Sequence, residues 1–155
     1  MEIDEDVLKT LRALQDEQAV RRTLHRYCHA IDYGDEAAWV DLFLEDGVFD
    51  VEFPGDQPAM HLAGRAALEE FIAAHPRAPG QLHKHVLLNP IIDVSGDEAR
   101  VASYFQLLLD RGGVPETFCF GRYLDRMRRG PGGVWRFIRR LAEVQSTLGR
   151  LPRRS

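Results

Sequence analysis

Apolar residues recur at helical spacing through the first third of the chain. Val7, Leu8, Leu11 and Leu14 form one set, and Val20, Leu24, Tyr27, Cys28 and Ile31 form a second. Asp16 lies between them and is placed to cap a second helix after a break. Gly34 stops that helix, and Asp35 is suited to N-cap a short one carrying Trp39, Leu42 and Phe43. Asp46-Gly47 reads as a turn into a strand over Val48–Phe53, followed by a loop at Pro54, Gly55 and Pro58. Leu68, Phe71 and Ile72 mark a further helix, closed at His75-Pro76. From residue 81 the pattern is that of long strands, Leu82–Val94, Arg100–Leu109, Glu116–Met127 and Val134–Gln145. Ser95-Gly96-Asp97, Arg111-Gly112-Gly113 and Gly130-Pro131-Gly132-Gly133 supply the hairpins.

Helices followed by a meander of antiparallel strands predict an α+β fold. Strands this long must twist and coil. The expected architecture is a cone-like, curved, mainly antiparallel sheet with the N-terminal helices over its concave face, enclosing a pocket. Residues 1–150 form one domain in this reading, and 151–155 a loose tail.

Composition narrows the classes. A 45 % hydrophobic and 28 % charged chain has the balance of a soluble globular protein. No apolar run reaches the ~18 residues of a membrane span. The acidic opening Met-Glu-Ile-Asp-Glu-Asp has no secretory character, so a cytoplasmic location is expected. Cys28 and Cys119 cannot build a disulfide framework. Residues 111–155 carry 11 Arg against three acidic residues, inside a chain of net charge -4. These Arg fall in strand-like segments without an aromatic RNA motif or a recognition helix, so no nucleic-acid partner is expected.

The candidate chemistry is a split triple. Tyr27 and Asp32 lie about 1.4 helical turns apart and can flank one opening. His85 follows on an apolar strand, and a carboxylate beside an imidazole makes a base from two groups that are weak alone. A carboxylate on an apolar helix face also needs a partner. Asn89 shares the strand face of His85 if no bulge intervenes. Trp39, Phe53, Phe105 and Phe120 are candidates for pocket wall, and Arg122 for a polar contact. His83, Cys28 and the i,i+4 pair His25/His29 raise the question of a metal, but no HExxH pattern accompanies them and none is expected. His61 and His75 read as surface residues. There is no nucleophile elbow, phosphate loop or dinucleotide fingerprint.

Several stretches together resemble the SnoaL-like branch of the nuclear-transport-factor-2-like superfamily. Leu24-His25-Arg26-Tyr27-Cys28-His29-Ala30-Ile31-Asp32-Tyr33-Gly34-Asp35 is similar to the family's first long helix. Trp39 with Leu42-Phe43 and Asp46-Gly47 resembles the next element. His85-Val86-Leu87-Leu88-Asn89-Pro90 with Gly96-Asp97-Glu98-Ala99 resembles the central hairpin, and Gly121-Arg122-Tyr123 and Trp135-Arg136-Phe137 the last two strands. The resemblance implies a cone-shaped α+β barrel, often homodimeric, with a deep apolar pocket. Relatives include polyketide cyclases, scytalone dehydratase, bile-acid 7α-dehydratase, a dehydrochlorinase and steroid isomerases, several of which need no metal or organic cofactor. In the dehydratase and dehydrochlorinase branches an Asp of the first helix pairs with a His of the sheet, at the positions of Asp32 and His85. Tyr27 matches a Tyr of the bile-acid enzyme, whose further Asp is missing from Tyr104-Phe105-Gln106-Leu107-Leu108. The implied function is a cofactor-independent lyase or isomerase, foremost a dehydratase-type elimination on an apolar substrate. The alternatives are a non-catalytic binder of an apolar metabolite, a structural subunit of a dioxygenase-like assembly, a polyketide cyclase, or an epoxide hydrolase in which Arg122 and Asp50 converge with Asp32.

Overall fold

The computed structural model describes residues 4–149; the tail expected at 151–155 lies outside them. Helix α1 runs unbroken over Glu5–Tyr33. The break expected at Asp16 is absent, because no Gly or Pro interrupts the segment. The Asp16 carboxylate instead accepts from Arg129 at 2.8 Å. The helix buries Val20, Leu24, Tyr27, Cys28 and Ile31, while Val7, Leu8, Leu11 and Leu14 of the first apolar set stay exposed. Gly34 ends it in the left-handed conformation (φ 75°), and its N–H bonds the Ala30 carbonyl. Asp35 then caps α2 (Glu36–Val40) by accepting from Ala38 N–H at 3.1 Å.

Strand β1 spans Phe43–Glu52, so Asp46-Gly47 is an irregularity inside a strand rather than a turn before one. Strand β2 (Met60–Ala63) lies where a loop was expected. Its four residues are too few to show periodicity, and pairing with β1 creates it. Helix α3 (Arg65–Ala74) follows, ending at His75. Strands β3 (His83–Ser95), β4 (Glu98–Asp110), β5 (Pro115–Arg129) and β6 (Trp135–Thr147) form the meander.

The six strands make one sheet, ordered β2-β1-β6-β5-β4-β3. Only the β1–β6 pair is parallel. The helices cover one face, which buries Phe105, Tyr123, Met127, Trp135 and Phe137. Alternation along β4 is regular, with Val101, Ser103, Phe105, Leu107 and Leu109 inside. Of the register shifts elsewhere in the sheet, two bear on the site. One extra residue at Asn89-Pro90 separates the Leu88–Tyr104 and Ile91–Ala102 pairs. Another at Ile138 separates the Arg126–Arg139 and Met127–Phe137 pairs, and turns Arg140 inward.

Candidate functional site

Asp32 sits in the last turn of α1, and His85 two residues into β3. Their union is close. Nδ1 of His85 lies 2.7 Å from Oδ1 of Asp32, and the backbone N–H of His85 donates to both carboxylate oxygens at 3.1 Å. The Asp32 side chain is 4 % exposed and the His85 ring 10 %, so the bond is sheltered from competing water. A carboxylate accepts only, so Nδ1 carries a proton in this bond, and in the neutral ring Nε2 holds the lone pair. The Asp32 carbonyl accepts from Ala78 N–H at 3.2 Å, which ties the loop after α3 to the same turn.

Two further histidines complete the cluster. The His83 ring lies 5.3 Å from that of His85, and its Nε2 is 3.3 Å from Oδ1 of Asp32 without forming a hydrogen bond. His75 was expected at the surface. Its ring instead packs 5.4 Å from His83 and 5.8 Å from His85, with Nδ1 donating to the Pro76 carbonyl at 2.8 Å. Burial, with a neighbouring imidazole, lowers the His75 pKa to about 3 and that of His83 to about 4. Both rings are neutral near neutral pH. The i,i+2 spacing of His83 and His85 puts them on one strand face, whereas nothing local marks His75.

Tyr27 is buried among aromatic rings, with Trp39, Phe49, Tyr123 and Phe137 at 5.7–6.3 Å and His85 edge-on at 6.4 Å. Burial pushes its phenol well above the usual range, so it stays a proton donor. The Arg140 guanidinium lies 4.1 Å from this ring, 3.9 Å from Tyr123 and 4.5 Å from Phe137. It is fully buried and held by Asp125 at 2.9 and 3.1 Å. This ion pair under Tyr27 is invisible in the sequence, because the Ile138 bulge reverses the alternation that would have placed Arg140 outside.

The remaining expected residues divide. Trp39 is fully buried against Tyr27, Phe43, Phe49 and Phe71, and Phe105 stacks on Tyr123 at 4.5 Å. Phe53 packs half-buried at the core margin. Asn89 does not share the face of His85: it occupies the bulge with φ 50° and is exposed. Phe120 is 47 % exposed, and Arg122 is exposed and paired with Glu143. Asp50 is taken up by His61 and Arg139, both at 2.6 Å, so the Arg122–Asp50–Asp32 convergence needed for epoxide opening does not form. Cys28 is buried, whereas His25 and His29 are exposed, so these do not gather either. Two surface depressions, of about 470 and 630 Å³, lie elsewhere. The first is on the sheet around Ile91, Arg100 and Leu124, and the second along α1 around Arg22, His25 and His29. No helix among the described residues is long and apolar enough to cross a membrane.

The fold and the buried carboxylate–imidazole pair define a small α+β protein with a six-stranded sheet covered on one face by helices. The chain belongs to the SnoaL-like domain family, whose model matches residues 12–141. It is similar to a nuclear-transport-factor-2-like protein with a cystatin-like fold from Novosphingobium aromaticivorans (27 % identity, 94 % of this chain and 92 % of that one, TM-score 0.78). It is also similar to Rv3472, a protein of unknown function from Mycobacterium tuberculosis (27 %, 87 % and 79 %, TM-score 0.74). A candidate scytalone dehydratase from N. aromaticivorans shares the fold at 22 % identity (93 % of each chain, TM-score 0.70). No curated protein is significantly similar in sequence.

Proposed function

We propose that the protein is a lyase or isomerase acting on a small apolar substrate by general acid–base catalysis, foremost a dehydratase-type elimination. The observation that carries this reading is the 2.7 Å Asp32–His85 contact, which leaves Nε2 of His85 as a base beside a protonated Tyr27. Nε2 removes a proton from a carbon acidified by a carbonyl. The Asp32 carboxylate stabilises the imidazolium that results. The carbon–oxygen bond breaks as the double bond forms, with the Tyr27 hydroxyl donating to the departing oxygen. The proton on His85 then passes to that oxygen, and water leaves. Proton transfer of this kind contributes about 10²–10⁴-fold. The SnoaL-like fold and the likeness to a candidate scytalone dehydratase support the reading.

Association through the uncovered face of the sheet accompanies it. Leu88 pairs across the strands with Tyr104, and Ile91 and Phe120 lie nearby on the same β3–β5 surface, all between 37 and 67 % exposed. An apolar group of this kind suits a homodimer interface; sedimentation velocity checks it.

The test of function is deuterium uptake from heavy water into a panel of β-hydroxy carbonyl compounds, followed by conjugated-product absorbance. Parent protein, Asp32→Asn and His85→Ala are compared. Exchange by the parent, lost in both variants, is expected. Exchange that persists in His85→Ala overturns the assignment.

A further inference from the structure

The Asp32 carboxylate faces two imidazoles, and only one of them is hydrogen-bonded to it. Nε2 of His83 lies 3.3 Å from Oδ1, has no hydrogen-bond partner, and belongs to a side chain that is 2 % exposed. A neutral imidazole with its proton on Nδ1 has a lone pair at Nε2. In that tautomer two lone-pair atoms confront each other in a buried place with no hydrogen between them. Such a contact is unfavourable unless something positive joins them. A divalent metal cation is a group suited to such a gap between an imidazole nitrogen and a carboxylate oxygen.

The spacing agrees. Ligand bonds of about 2.0–2.2 Å in a tetrahedral zinc site place ligand atoms roughly 3.3–3.5 Å apart. The His83–Asp32 separation is already 3.3 Å. Donor atoms from Asp32, His83 and His85 all lie within 4.8 Å of one another. The His85–Asp32 contact of 2.7 Å, which now holds a proton, has to open by roughly 0.6 Å to reach that spacing. Two imidazoles and one carboxylate with a fourth position open is a known zinc ligand set. The supports behind it are in place as well. The His85 N–H holds both carboxylate oxygens. The His75 ring packs against both histidines.

We propose that Asp32, His83 and His85 bind a divalent transition metal, best Zn²⁺, and that the ion switches off the acid–base site. To ligate through Nδ1, His85 gives up the proton there and takes one at Nε2 from solvent. The ring stays neutral and the carboxylate stays ionised, so no net charge is released. With Nε2 protonated, His85 is no longer a base. The switch rests on the function proposed above; the binding does not.

The test uses the full chain after treatment with a chelator. Co²⁺ is titrated in and followed by its visible absorption, then displaced with Zn²⁺ in a calorimeter. The expected result is one equivalent with the intense bands of four-coordinate cobalt. Binding weakens by about 10–100-fold or more in His83→Ala and His83→Gln. It is unchanged in the double variant His25→Ala/His29→Ala, which removes the exposed helix pair. Circular dichroism confirms that each variant is folded. Nitrogen NMR on the unsubstituted chain supplies a readout that needs no variant, since Zn²⁺ must shift the imidazole signals of His83 and His85. Absent bands, unmoved His83 and His85 signals, or binding that follows the helix pair overturns the site. Turnover that survives saturating Zn²⁺ overturns the switch alone, and absent turnover with intact cobalt binding counts against the proposed function alone.

Discussion

Replacing Asp32 with Asn keeps the volume of the side chain and exchanges one acceptor oxygen for a donor. The surroundings decide which way the amide turns. Oδ1 faces Nδ1 of His85 at 2.7 Å and Nε2 of His83 at 3.3 Å, and both oxygens face the His85 N–H at 3.1 Å. With the amide oxygen at the Oδ1 position, the amide nitrogen meets the His85 N–H donor to donor, and Nε2 of His83 stays unpaired. With the amide nitrogen there, its two hydrogens reach His85 Nδ1 and His83 Nε2, and the oxygen accepts the backbone N–H. The second orientation satisfies two more groups, worth about 1 kcal/mol each. A difference of about 2 kcal/mol favours it by roughly 30-fold. His85 must then accept at Nδ1 and carry its proton on Nε2. The lone pair proposed as the base is gone, and the wrong tautomer costs up to about 10⁴ in turnover. Nitrogen NMR of labelled histidine reads the tautomer without any substrate. We expect His85 to change from Nδ1–H in the chelated parent to Nε2–H in Asp32→Asn. Retention of Nδ1–H in the variant refutes the reasoning, and with it the claim that Asp32 sets the protonation of His85.

Asp125→Asn leaves the fully buried Arg140 charge without its counter-charge, and a loss of about 3–5 kcal/mol is expected from urea unfolding; a loss below about 1 kcal/mol would show that the three stacked rings suffice. Gly121→Ala places a Cβ 1.9 Å from the Glu143 carbonyl oxygen across the β5–β6 bulge. It is expected to destabilise by about 1–3 kcal/mol or more and lower Tm by about 2–4 °C per kcal/mol; an unchanged Tm contradicts the strand spacing. Burial alone would raise the Asp50 pKa, but hydrogen bonds from Arg139 and His61 prevail and hold it below the usual range. Its contribution is therefore present above the unfolded value of about 3.9 and is lost as pH falls through the lower folded value. The Tm deficit of Arg139→Ala should accordingly be full near neutral pH and shrink below about pH 4, and a deficit independent of pH contradicts the pairing.

The elements with strong local signals were legible. Gly34 as a left-handed stop, Asp35 as a cap, and three hairpin turns rich in Gly place α1, α2 and the β3–β6 meander within a few residues. The approach of His85 to Asp32 came from the family resemblance together with the need of an apolar-face carboxylate for a partner. What stayed hidden depends on pairing rather than on composition. Strand β2 exists only because β1 offers an edge. The bulge at Asn89 removes that residue from the face of His85, and the bulge at Ile138 brings Arg140 into the core. A period of two holds only between bulges, so one inserted residue reverses every assignment beyond it. His75 was misplaced for another reason. Its position follows from the fold of residues 75–82, where Ala78 bonds the Asp32 carbonyl.

The same features explain why the candidate site stands where it does. Strand β3 lies at the edge of the sheet, and its outer N–H groups have no neighbouring strand to receive them. At His85 that group is taken by the Asp32 carboxylate, delivered from the last turn of α1. The carboxylate thus satisfies an edge strand and holds an imidazole through one residue. Because the backbone bond fixes where the oxygens lie, the His85 ring meets a carboxylate that is already positioned, with little orientational freedom left to lose. His83, one pleat earlier on the same face, meets that oxygen as well. An edge strand closed by an acidic side chain therefore places every histidine of its inward face against a fixed negative charge. From this one arrangement come both the base proposed for catalysis and the cation site proposed to silence it.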